Sequence, residues 1–130
     1  RDRSVSRGLG DVYKRQPECR VILDLAPANQ GHALILTKEH YDNIYQLDEE
    51  TAGKVFSLAT HVAKAVQEET GCEGLNIVQN NGEVAGQTVH HFHMHVIPRH
   101  AGDDVQVTWK QGETESESLK ALADAIKKHI

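Results

Sequence analysis

Five of the nine histidines fall between His90 and His100, and three of them, His91, His93 and His95, occupy alternate positions. Apolar Phe92, Met94 and Val96 stand between and after them. Alternation is the period of a half-buried β-strand. Such a strand would carry three imidazoles in a row on one face, about 6.5–7 Å apart. Two chemistries use a row of this kind. Imidazoles spaced His-x-His can close on one Zn²⁺, or one ring can attack an electrophile while its neighbours set its tautomer and hold an anion. A sheet face that merely happens to carry histidine fits three rings in register poorly, because buried polar rings each need a partner. Pro98 has no N–H for a ladder, so the strand is expected to end there or to lie at an edge.

The residues just upstream favour the anion. Asn80-Asn81-Gly82-Glu83-Val84-Ala85-Gly86-Gln87-Thr88 is a glycine-bearing turn leading into the histidines. A turn of this composition can aim backbone N–H groups, and here the Gln87 and Thr88 side chains, at a phosphate. Most glycine turns only reverse the chain. Beside a row of imidazoles this one gains weight.

Gly86-Gln87-Thr88-Val89-His90-His91-Phe92-His93-Met94-His95-Val96-Ile97 resembles the signature of the histidine triad (HIT) nucleotide hydrolases and transferases, His-φ-His-φ-His-φ-φ after Gly-Gln-Ser/Thr, with φ apolar. The resemblance runs from about Glu18 to Arg99. Gly31-His32-Ala33-Leu34-Ile35-Leu36-Thr37-Lys38-Glu39-His40 is similar to a second block of the family, in which the first histidine comes alongside the triad. Read from its own neighbours, Asp24 is a turn or cap residue before Pro27–Gly31. The resemblance makes Asp24, followed by apolar Leu25, the group that receives the ribose, and two vicinal hydroxyls donating to a carboxylate is sound chemistry. Asn80 matches an asparagine near the scissile phosphate.

The resemblance implies a covalent mechanism. His93 would attack the α-phosphorus of a purine nucleotide derivative, forming a nucleotidyl-His93 intermediate that water hydrolyses. His91 and His32 would hold the attacking ring. His95, Asn80, Gly86, Gln87 and Thr88 would stabilise charge on the phosphate. A nucleoside phosphoramidate or another AMP derivative is the expected substrate. A dinucleoside polyphosphate hydrolase and a non-catalytic nucleotide-binding regulatory module are the alternatives, with an unrelated zinc protein more distant. No cofactor is expected. Some members bind zinc through a Cys-x-x-Cys pair and two histidines, which here match His40 and His91. The cysteine pair is missing from this sequence, so no zinc is expected either. The family also implies a homodimer.

The chain of 130 residues suits one domain. No apolar run reaches membrane-spanning length and no signal-peptide core is visible. Two cysteines, Cys19 and Cys72, and a net charge of −5 point to a cytoplasmic protein that does not bind nucleic acid. Residues 1–16 hold five of the fourteen basic residues and two acids, follow no period, and break in composition at Pro17. They read as a foreign or disordered segment, which leaves 17–130 as the HIT domain.

The expected fold is α+β and HIT-like: an antiparallel sheet of about five strands, one long helix and a C-terminal helix. Strands are expected at Arg20–Leu25, His32–Leu36, Leu75–Asn80 and through the histidines. Ala52, Val55, Phe56, Ala59, Val62, Ala63 and Val66 form an apolar stripe on a helix from Asp48 to Gly71. Ala101–Ser118 reads as an acidic loop, with Trp109 open to three roles: pocket cover, core plug or interface residue. Leu119, Leu122, Ala123 and Ile126 mark the C-terminal helix.

Overall fold

Short runs of β-branched and apolar residues, bounded by turn residues, become strands here, and the long run with helical spacing becomes the main helix. The computed structural model describes residues 7–9 and 16–130. In chain order the elements are β1 (Cys19–Leu23), β2 (Ala33–Thr37), α1 (Glu49–Thr70), β3 (Gly74–Val78), a single 3₁₀ turn at Glu83–Ala85, β4 (His93–Arg99) and α2 (Ser116–Lys127). The four strands form one antiparallel sheet in the order β1-β2-β4-β3. The fold is α+β, as expected, with four strands where about five were anticipated. A fifth position is marked by one bridge, Gly8 to Ile22, with the Leu9 N–H donating to the Val21 carbonyl at 3.0 Å. Part of the amino-terminal segment thus pairs with the free edge of β1. Residues 1–6 and 10–15 of that segment lie outside the described residues.

Helix α1 starts and stops where its caps dictate. The Asp48 carboxylate accepts from the Thr51 N–H at 3.1 Å, and Gly71, at φ 66°, takes the left-handed position that ends the helix. Val55, Leu58, Ala59, Val62 and Val66 are its buried residues. They share one core with Val21, Ile35, Met94 and Val96 of the sheet. The expected stripe is corrected at one position. Phe56 is 56 % exposed and Leu58 takes its place at 1 %. Each helical residue turns about 100°, so the buried arc is centred on Val55, with Leu58 about 60° from its middle and Phe56 about 100° from it on the other side.

β4 lies inside the sheet, yet it contains Pro98. Pairing of β4 with β2 ends at Val96, whereas pairing with β3 continues to Arg99. Pro98 therefore sits in a two-stranded part of the ladder with one side at an edge, where a missing N–H costs nothing. The strand runs one residue past it. α1 covers the face that carries Met94 and Val96, leaving His93 and His95 on the opposite face beside Leu36 and Leu34 of β2. Beyond Arg99 the chain makes no further strand among the described residues. α2 keeps its stripe exposed: Leu119, Leu122 and Ile126 are half-exposed or more, and Trp109 is 81 % exposed, which excludes the core-plug role. No helix among the described residues is long and apolar enough to cross a membrane.

Candidate active site

His93 and His95 lie two residues apart on β4, with ring centroids 5.0 Å apart and the rings edge-on. His32, at the start of β2, reaches His95 from the neighbouring strand, with centroids 5.1 Å apart. Fixed donors and acceptors settle the tautomers. The Ala28 N–H donates to His32 Nδ1 at 3.0 Å, so that nitrogen carries the lone pair and Nε2 carries the proton. His32 Nε2–H then donates to His95 Nδ1 at 2.9 Å, which leaves the His95 proton on Nε2. His93 Nδ1 stands 2.8 Å from the His91 carbonyl, and a carbonyl can only accept. His93 therefore holds its proton on Nδ1 and presents a free lone pair on Nε2.

Burial keeps this relay neutral. His32 is 5 % exposed, and burial lowers its pKa against the opposing pull of Asp24. Burial lowers His95 further, to about 4, aided by His93 and His32. Both rings are thus uncharged at neutral pH and act as hydrogen-bond donors rather than as cations. The Asp24 carboxylate sits 3.6 Å from His32 Nε2 and accepts from the Ala26 N–H at 2.9 Å. Its neighbour Leu25 is 56 % exposed.

His91 does not join the row. It precedes β4, and its ring turns away to meet His40, with centroids 5.1 Å apart. Its backbone carbonyl, not its imidazole, is what orients His93. Likewise His32 orients His95 directly and His93 only through it. These two roles differ from the sequence expectation, in which both rings held His93. The difference arises because the strand begins at His93, so the alternation that puts side chains on one face does not extend to His91.

The glycine loop divides its labour. Gln87 is 3 % exposed and its side chain is spent: Oε1 accepts from the Gly82 N–H at 2.8 Å, and Nε2 donates to the Asp42 and Val89 carbonyls. It braces the loop rather than offering its amide to an anion, a correction to the expected side-chain role. Gly86, at φ 98°, closes the 3₁₀ turn in the left-handed region and lies against Asn80, whose Nδ2 a Cβ at this position would meet at 3.5 Å. Thr88 is exposed just before the histidines.

Two groups have the chemistry of metal ligands. Asp24, His32 and His95 bring three ligand atoms within 4.8 Å of one another. Binding there would need the His32 Nε2 lone pair, which would push its proton onto Nδ1 against the Ala28 N–H. The relay tautomer and a metal at this point exclude each other. At the second group, His40 Nε2 donates to Asp42 Oδ1 at 2.6 Å and His91 Nε2 donates to the Thr37 carbonyl at 2.6 Å. Their Nδ1 lone pairs then face each other at 3.3 Å, an arrangement that repels unless a proton or a cation lies between. These are the two histidines that the sequence resemblance matches to half of a zinc site. No third His, Cys, Asp or Glu joins the pair among the described residues, and two donors fall short of the four of a structural zinc site.

Sequence reasoning missed the Ala28 N–H and Asn29. The first is a backbone group, so no residue type could signal it. The second lay hidden in a turn whose composition accounted for it.

Comparison with known proteins identifies the family. Residues 10–102 match the family model described as HIT domain. The Bacillus subtilis protein named Hit is 37 % identical over 111 residues, spanning 83 % of this chain and 77 % of its own. The adenosine 5′-monophosphoramidase of Schizosaccharomyces pombe is 37 % identical over 109 residues, spanning 83 % and 79 %. The crystal structure of a HIT family protein from Bacillus anthracis superposes with a TM-score of 0.83 at 36 % identity, covering 87 % of this chain and 82 % of that one. The chain belongs to the HIT domain family.

Proposed function

We propose that the protein hydrolyses purine nucleoside phosphoramidates, or related AMP derivatives, through a covalent nucleotidyl-His93 intermediate. The observation that carries this is the 2.8 Å hydrogen bond from His93 Nδ1–H to the His91 carbonyl, which leaves Nε2 as a free nucleophile. The name of the fission-yeast relative, a monophosphoramidase, supports the substrate class.

His93 Nε2 attacks the α-phosphorus and displaces the amine. Water then attacks the phosphorus–nitrogen adduct, releasing the nucleoside monophosphate and restoring the imidazole. Neutral His95 offers Nε2–H to a non-bridging oxygen, and Asn80 with the amides around Gly86–Thr88 adds donors. Asp24 and Leu25 receive the nucleoside. We assign no metal to either step. A homodimer and a cytoplasmic location belong to the same proposal. The outward apolar stripe of α2 and the outer edge of β3, which no strand among the described residues covers, support the first, since such surfaces favour association. Two free cysteines support the second.

The test is hydrolysis of an adenosine phosphoramidate beside a diadenosine polyphosphate, by this chain and by His93→Ala. Phosphoramidate turnover abolished in the variant is the expected result. Faster dinucleotide cleavage would move the substrate class to dinucleoside polyphosphates. AMP binding without turnover of either would make the protein a nucleotide-binding module.

A further inference from the structure

Asn29 lies outside the histidine row, yet its side chain is tied into a densely hydrogen-bonded polar group around Asp103. Its Nδ2 spends both hydrogens, one on the Pro98 carbonyl and one on Asp103 Oδ2, each at 2.9 Å. Asp103 is in turn gripped by Arg99 through both oxygens, Nε to Oδ2 and a terminal nitrogen to Oδ1, each at 2.8 Å. The His100 N–H and the Val105 N–H also donate to it. The Arg99 guanidinium completes its own set on Asn76 Oδ1 and the Val105 carbonyl. The Asp103 side chain is 8 % exposed, and the fork from Arg99 holds its carboxyl well below the usual carboxylate range. The end of β4 is thereby a rigid anchor.

Among the described residues, Asn29 is the side chain that hydrogen-bonds this anchor to the β1–β2 turn. Its peptide neighbour Ala28 supplies the N–H that fixes His32 Nδ1, and the Asn29 carbonyl accepts from the His32 N–H at 3.1 Å. The turn is otherwise exposed at Ala26, Pro27, Ala28 and Gln30. We infer that Asn29 is a positioning residue: by pinning this turn to the Arg99–Asp103 pair, it keeps the Ala28 N–H aimed at His32 and so keeps the His95 proton on Nε2. This rests on the hydrolase reading only for its effect on rate; the tautomer itself is independent of any substrate. Without the pin, the turn can swing the Ala28 N–H away. His32 Nδ1 is then free to take the proton, His95 loses its donor at Nδ1, and both rings sample two tautomers.

The experiment is ¹⁵N NMR of the imidazole nitrogens of His32 and His95 in the full chain and in Asn29→Ala, with kcat, KM and a pH profile on an adenosine phosphoramidate. The inference expects His32 Nδ1 and His95 Nδ1 as unprotonated acceptors in the parent and mixed signals in the variant. It also expects kcat to fall about tenfold, KM to stay within about twofold, and the pH profile to shift. Asp48→Ala removes a remote helix cap and is the control for mere destabilisation: its Tm falls while the histidine signals stay fixed. Should Asn29→Ala fail to fold, Asp103→Asn keeps the shape and an acceptor for Asn29 but discards the charge that anchors it, and should give partial mixing. Fixed tautomers in a folded Asn29→Ala overturn the inference whatever the turnover. Absent turnover in the parent overturns the hydrolase reading and leaves the NMR result to judge Asn29.

Discussion

His32 Nε2–H donates to His95 Nδ1 at 2.9 Å across the β2–β4 pair, joining two histidines that are 63 positions apart in sequence. The bond exists because β2 and β4 run antiparallel with Leu34 opposite His95, so that His32, two residues before Leu34, lies diagonal to His95 on the same face of the sheet. Its consequence is chemical. A ring whose Nδ1 is already an acceptor has a single donor left, Nε2–H, to turn toward a substrate.

Removing His32 should therefore act through His95. His32→Ala is expected to lower kcat on an adenosine phosphoramidate by roughly 10²-fold while leaving AMP binding within severalfold, since it strips orientation rather than contact. His32→Gln, which offers an acceptor and a donor, should recover part of the loss. Steady-state kinetics of the two variants, with AMP titration, check this. Equal losses in both would mean that ring packing, not the relay, is what matters.

The same burial sets a pH limit on stability. His95 ionises at about 4 in the folded chain and His32 is also lowered, both chiefly by burial, against an ordinary value of 6.5. Between 6.5 and about 4 the unfolded chain binds more protons than the folded one, so stability falls as the pH drops through this window. Above 6.5 both states hold neutral rings and this contribution vanishes. Thermal melts from pH 7.5 to 4 should show a Tm that declines below about 6.5, and His95→Gln should flatten part of that decline. A slope unchanged in His95→Gln would assign the decline to other groups.

How far the sequence could be read follows from what each signal encodes. Strand and helix positions come from periodicity and caps, and these are local: Asp48 starts α1 with its carboxylate and Gly71 ends it with a left-handed backbone. His93 and His95 follow from alternation. His91 does not, because alternation says nothing about where a strand begins, and β4 begins two residues later. The role of Gln87 was misread for another reason. An amide beside a glycine loop can face an anion or its own backbone, and the loop's closure, with Gly82, Asp42 and Val89 as partners, decides for the backbone. The Arg99–Asp103–Asn29 group joins residues up to 74 positions apart and leaves no pattern to read.

Gly31 precedes His32 with φ at 94°, and a Cβ there would stand 2.7 Å from Thr70 Cγ2. Two penalties coincide, a left-handed backbone and a clash with the last residue of α1. Gly31→Ala should destabilise by about 1–3 kcal/mol, measured by urea unfolding. Because His32 follows directly, its relay should loosen as well, so that activity falls more than the loss of folded protein explains. An unaltered unfolding midpoint would mean that the turn relaxes freely.

The placement of α1 gives the sharpest contrast between pattern and packing. Phe56 and Leu58 are both large and apolar, two residues apart, and one helical stripe cannot bury both because they point roughly 160° apart. The structure buries Leu58 at 1 % exposure and leaves Phe56 at 56 %. Leu58→Ala empties space inside the core it shares with the sheet and should cost about 2–5 kcal/mol. Phe56→Ala removes a half-exposed ring and should cost no more than about 1 kcal/mol in a lone protomer. Urea unfolding at low protein concentration reads both. Repeating it at high concentration adds a second comparison, because a Phe56 buried between copies would make the Phe56→Ala loss grow as association sets in. A Phe56→Ala cost matching that of Leu58→Ala at low concentration would put the core on the other side of this helix.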